Sequence, residues 1–225
     1  MINLWAHTEE IKTTTMKATT LLSAAALATA CVGSAFGAVT SQNIVGYIKL
    51  PLTAGYNLIA NQLNNGDNTV QTLFSSLPAD GFTTVYKWNG HGYDSANYQD
   101  PVDGWDNPAL AVGPGDGLFV YVAAAQSVTL VGEVSLSTTV NVINGYSLVA
   151  SPIPVEGDLT DTNTINFPTQ VGDTVYTWTG KGFHVNGYPD VIDGWDDGAP
   201  PHILVGQGFF VNGAARTWTR TFSVQ

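Results

Sequence analysis

A single cysteine, Cys31, occurs in 225 residues, which excludes a disulfide framework within the chain and leaves packing, bound metal or both to hold the fold. Positive charge is almost as scarce. Past residue 37 it rests on Lys49, Lys87, Lys181, Arg216 and Arg220 alone, and the net charge of the whole chain is −11. Such a surface repels phosphate backbones and anionic headgroups, which excludes nucleic acid as a partner. Charged residues of both signs make up only 11%, against about a quarter in ordinary domains, so the Glu- and Lys-rich faces that keep helices soluble are missing. Beyond the N-terminus no apolar run reaches the ~20 residues that cross a bilayer. Catalytic signatures are missing too. The histidines past residue 37 (His91, His184 and His202) show no H-x-x-x-H spacing, and no serine sits in a G-x-S-x-G elbow. The glycine-rich "VGPGDGLFV" lacks the Lys-Ser/Thr of a phosphate loop and reads as a tight turn before a buried strand.

The N-terminus has the form of an export signal. Lys17 precedes an apolar stretch from Ala18 to Ala30, and small residues at Ala35 and Gly37 offer a cleavage point before Ala38. Residues 1–37 are therefore read as a signal peptide. Glu9 and Glu10 are foreign to such a segment, so Met16 is the expected start. Cys31 falls inside the signal, and "ATAC" lacks the leucine of a lipoprotein site, which favours simple cleavage.

What the chain does contain is a repeat. "GYNLIAN" from Gly55 matches "GYSLVAS" from Gly145, "TVYKWNGHGY" from Thr84 matches "TVYTWTGKGF" from Thr174, and "DGWD" recurs at Asp103 and Asp193, all at one offset. One residue of slip later, "GDGLFV" from Gly115 matches "GQGFFV" from Gly206. Two copies, 44–134 and 135–225, fill the chain after the signal, with no linker between them.

Within each copy apolar residues alternate, as in half-buried strands: Leu136, Val140 and Val142 alternate with Ser135, Ser137, Thr139 and Asn141. "VYKWNGHGY" reads as a hairpin turning at Asn89-Gly90. One helix is expected, in "NTVQTLFSSLP", with Val70, Leu73, Phe74 and Leu77 on one face, Asn68 as cap and Pro78 beyond the end. Copy two loses it to Pro168. The expected fold is all-β, two tandem β-sandwich-like repeats of about 90 residues each; a single pseudo-symmetric sandwich is the competing arrangement.

The order "GYNLIAN", "VYKWNGHGY", "PGDGLFV" resembles a β-sandwich module recurrent in bacterial secreted and cell-surface proteins, whose loose pattern is Gly-Trp/Tyr-Asn-Leu-Ile, Val-Tyr-x-Trp-x-Gly, Pro-Gly-x-Gly-Phe-Phe-Val. The similarity covers both copies. It implies a non-catalytic accessory or surface domain, with no catalytic residue to carry over.

The doubled phrase "DPVDGWDNP" and "DVIDGWDDG" supports two readings. Asp100, Asp103 and Asp106, with Asp190, Asp193, Asp196 and Asp197 in copy two, give an oxygen-rich loop for calcium, although the spacing is not that of an EF-hand. Alternatively Asp-Gly bends the chain and Trp105 or Trp195 anchors it in a core, which accounts for the indoles as well. Trp105 and Trp195, if exposed, are the candidate ligand-binding residues, stacking on sugar rings, whereas Trp88 and Trp178 read as buried. The expectation is an exported, non-enzymatic structural or adhesion-type protein of the envelope, periplasm, cell surface or extracellular space. Its partner would be extracellular protein or polysaccharide, or further copies through strand addition. A carbohydrate-binding protein is the alternative. A glycoside hydrolase using Asp103 with Asp193 ranks third.

Overall fold

The computed structural model describes residues 44–77 and 82–223. The signal segment 1–37, Met16, Cys31 and Pro78 lie outside the described residues. The described chain is all-β and sandwich-like, and a period-two burial pattern builds it. Strand β1 (Val45–Leu52) buries Ile48, Leu50 and Leu52 while Tyr47 and Lys49 face water. It pairs antiparallel with β7 (Gln126–Glu133), whose Val128 and Leu130 point the same way.

Facing this ribbon is an antiparallel sheet in the order β2 (Gly55–Ala60), β6 (Gly117–Val122), β3 (Thr84–Trp88), β4 (Tyr93–Asp100), β5 (Gly104–Trp105). Ile59, Val85, Leu118 and Val120 of the sheet meet Leu50 and Leu130 of the ribbon in one core. The expected helix is α1 (Val70–Leu73), a single turn, and Val70, Leu73, Phe74 and Leu77 are all buried in that core. Its cap is Thr69, not Asn68. Asn68 is committed to the preceding loop, where its Oδ1 accepts from the Asn65 N–H at 3.2 Å and its Nδ2 donates to Asn64 Oδ1 at 2.6 Å.

Copy two repeats the plan. β8 (Ser137–Val142) pairs with β15 (Arg216–Thr221), and β9 (Gly145–Ala150), β14 (Gly208–Gly213), β11 (Asp173–Trp178) and β12 (Phe183–Tyr188) form the facing sheet. β10 (Gly157–Asp158) and β13 (His202–Ile203) pair beside it. Trp218 fills this second core, edge-on to Phe167 at 5.0 Å. Both hairpins turn through four residues, 89–92 and 179–182, because Trp88 pairs with Tyr93 and Trp178 with Phe183. In the first, Asn89 Oδ1 accepts the N–H groups of His91 and Gly92, which holds the wider loop.

The copies meet through reciprocal contacts. The Ala60 N–H donates to the Gly206 carbonyl at 2.8 Å, and the Ala150 N–H to that of Gly115 at 2.9 Å. At positive φ (94° and 75°), Gly115 and Gly206 each press on the other copy: a Cβ on Gly115 would run into Val140, and one on Gly206 into Leu50. Two residues on, Gly117 and Gly208 let β6 and β14 graze the facing backbone; a Cβ on Gly208 would lie 2.8 Å from the Ile59 carbonyl oxygen. The repeated G-x-G thus serves a backbone crossing. The fully buried Gln62 spans the same crossing, donating to the Ile153 carbonyl at 3.0 Å and accepting the Gly206 N–H at 2.8 Å. Ile153, from copy two, is packed in the core of copy one, and all described residues fall in one compact unit.

Because φ strain and overlap with Leu50 act together, Gly206→Ala is expected to cost about 2–4 kcal/mol in denaturant unfolding, and Gly115→Ala a similar amount. Gly92→Ala, in open space on the hairpin loop, should stay within about 1 kcal/mol.

Candidate functional site

The doubled acidic phrase folds as two equivalent turns. Asp100 Oδ1 accepts the N–H groups of Val102 at 2.7 Å and Asp103 at 2.8 Å, and Asp190 Oδ1 those of Ile192 and Asp193 at the same two distances. These donors, Asp103 and Asp193 foremost, hold the Asp100 and Asp190 carboxyls below the usual carboxylate range. The turn drops Trp105 into the first core, 4% exposed and stacked on Tyr98 at 4.9 Å, and Trp195 into the second, 8% exposed and stacked on Tyr188 at 5.2 Å. Among the described residues Trp105 lines no cleft and Trp195 only edges one of about 480 Å³ beside Phe167 and Tyr188, so at 4% and 8% exposure the expectation of a sugar-stacking surface at Trp105 and Trp195 is corrected. Packing in two small cores required these large plugs.

The carboxylates are dispersed among separate partners. Asp106 accepts the Asn97 N–H and side-chain amide, each at 2.7 Å, Asp196 accepts the Gly187 N–H at 3.1 Å, and Asp197 lies 2.7 Å from the His184 ring. Asp103 and Asp193 are exposed at the turn tips. Among the described residues no three of His, Cys, Asp or Glu gather as a metal would need. The bend and the anchor account for the phrase.

The side chains that the fold does bring together are aromatic. Strand alternation sends Val85, Leu118, Val120 and Ile59 into the core, and therefore sends Tyr86, Trp88, Phe119 and Tyr56 to the opposite face of the sheet. Copy two does the same with Tyr176, Trp178, Phe210 and Tyr146. The two faces meet over a small buried cluster of Leu58, Phe119, Leu148 and Phe210. Two crossed hydrogen bonds tie them: Trp88 Nε1 donates to the Tyr146 carbonyl at 2.9 Å, and Trp178 Nε1 to the Tyr56 carbonyl at 3.0 Å. Trp88 and Trp178, expected in the core, are half-buried on this face, because their strand register points them away from it.

Two related clefts result. One, about 240 Å³, is lined by Tyr56, Tyr86, Tyr93, Phe119 and Trp178. The other, about 360 Å³, is lined by Trp88, Tyr93, Tyr146, Tyr176, Phe183 and Phe210. Each takes an indole from the opposite copy. Ring geometry repeats closely: Phe119 and Trp178 meet at 5.3 Å and 86°, Phe210 and Trp88 at 5.6 Å and 81°. Tyr56, Tyr93, Tyr146 and Phe183 remain 42–47% exposed.

The phenols are held neutral. Burial, with a hydrogen bond to Tyr56, raises the Tyr86 hydroxyl; burial raises Tyr93; and the bond to Tyr146, at 3.3 Å, raises Tyr176 with burial adding to it. The sequence carried a signal for this face in its doubled Tyr-x-Trp and Gly-Tyr/Phe pairs. That signal was masked because aromatic alternation also fits a core. His184 with Asp197 and His202 with Asp158 form exposed pairs that line neither cleft.

Two outcomes test this account. Trp105→Ala or Trp195→Ala should cost about 3–5 kcal/mol in chemical unfolding, while millimolar calcium leaves the melting temperature unchanged; a calcium-dependent rise would restore the metal loop. On alkaline titration, phenolate absorbance should show tyrosines ionising above the ordinary value of about 10. A raised folded-state pKa means that stabilisation is complete below that value and is lost as pH climbs through the raised one, so the tyrosine contribution should fall on the alkaline side, while that of the lowered Asp100 and Asp190 carboxyls falls on the acid side.

No family model matches the chain, and neither the curated proteins nor the solved structures contain a significant match.

Proposed function

We propose that the chain is an exported, non-enzymatic binding protein of adhesion type, working in the cell envelope or extracellular space. Its working surface is the aromatic face shared by the two copies, and its partner is an extracellular polymer. One observation carries this reading: Tyr56, Tyr93, Tyr146 and Phe183 pack around Phe119 and Phe210, and each is more than two-fifths exposed. Large rings left exposed together are costly for a free surface and mark a place where something docks. The resemblance to secreted surface modules and the export-type N-terminus agree with it, and the shortage of positive charge argues against polyanionic partners. Polysaccharide fits as the polymer, since rings and phenol hydroxyls are side by side on the face; the sugar-binding alternative therefore moves from Trp105 and Trp195 to this surface.

The test is retention on immobilised extracellular polysaccharide and a glycan array, comparing the natural chain with a Tyr93→Ala, Phe183→Ala double variant. Both positions are exposed, so the variant should melt cooperatively while its retention drops about tenfold or more. Undiminished retention by the folded variant would remove the aromatic face as the binding surface.

A further inference from the structure

Building on the aromatic face as the binding surface, we infer that its two clefts are cages for a quaternary ammonium group carried by the ligand. Every residue around each cleft is Tyr, Trp or Phe, with no aliphatic side chain, carboxylate or cation among them. Ring faces carry the negative end of the aromatic quadrupole, so each face turned toward a cleft attracts positive charge.

Most neighbouring rings in the clefts meet steeply: in the first, Tyr86 with Tyr93 at 80° and Phe119 with Trp178 at 86°, with Tyr56 tilted to Tyr86 at 46°; in the second, Tyr176 with Phe183 at 85° and Trp88 with Tyr93 at 68°, with Tyr146 tilted to Tyr176 at 48°. Walls at such angles give open clefts that can contact a compact, rounded group on several sides. Volumes of about 240 and 360 Å³ lie at or below the low end of sites for drug-sized molecules, about 300–1,000 Å³, and suit a trimethylammonium head.

A hard metal ion would need about six oxygen ligands in exchange for its water, and each cleft holds only the hydroxyls of three tyrosines. Both indole N–H groups are already spent on the Tyr146 and Tyr56 carbonyls, so neither Trp88 nor Trp178 offers a hydrogen-bond donor to a ligand. A quaternary ammonium has methyl groups outward, sheds its weak hydration easily and keeps its charge. The chain's net charge of −11 draws it in, and none of the five basic residues past residue 37 lines either cleft.

The experiment is a tryptophan-fluorescence titration of the full chain with choline and, separately, with its neutral isostere, in which a tert-butyl group replaces trimethylammonium. Shape and apolar area are equal in the two, so the difference reads the charge. Choline should saturate and bind about tenfold tighter than the isostere, and Tyr93→Leu, which alters both clefts, should bring the two closer together. Equal binding of both compounds, or no saturable response to choline up to about 100 mM, overturns the cage; neither outcome depends on a variant folding. If choline fails while the Tyr93, Phe183 double variant still loses the polysaccharide, the cage falls and the adhesion surface stands. If choline binds and displaces no polymer, the cage stands and polysaccharide retention must reside elsewhere.

Discussion

Two backbones crossing at closer range than any side chain permits set the terms for the rest of this molecule. Where Gly117 and Gly208 enter β6 and β14, each passes against the other copy's sheet, and the preceding Gly115 and Gly206 turn into that copy's first strand. The crossing aligns the reciprocal bonds from Ala60 and Ala150 and encloses the amide of Gln62, whose two hydrogen bonds both reach the other copy. Buried amides without partners are costly, so the satisfied Gln62 also selects this docking over a slipped one.

The same crossing creates the aromatic surface. Each sheet has a second face that its own ribbon does not cover, and docking the copies buries only its centre, at Leu58, Phe119, Leu148 and Phe210. The rings around that centre are left between burial and exposure. The crossed indole bonds hold Trp88 and Trp178 as walls for the other copy's cleft, so neither cleft is complete within one repeat. Duplication here supplies both halves of each cleft as well as two cores.

The acidic turns do different work. Asp100 and Asp190 close their turns on backbone N–H groups, and the indole that follows is locked against Tyr98 or Tyr188. Their recurrence has a mechanical cause, since in each copy a sharp bend delivers an indole into the core. The aromatic face recurs because the pleat that fills the core with Val85 and Val175 must turn Tyr86 and Tyr176 the other way.

Composition, period-two alternation and the repeat offset were enough to establish an all-β, sandwich-like chain, and the apolar face of α1 was legible residue by residue, because burial against one's own ribbon is a local pattern. The Asp-Gly-Trp phrase admitted two readings, since a carboxylate-rich turn looks alike whether its oxygens hold a cation or its own backbone; only the direction of the Trp105 and Trp195 side chains separated them. Trp88 and Trp178 were misplaced for a related reason. Alternation tells which residues share a face but not which face is the core, and both faces of these strands are apolar. That choice, the borrowing of each indole by the opposite copy, and hence the clefts themselves were decided by the docking of two sheets distant in sequence, which no local spacing encodes.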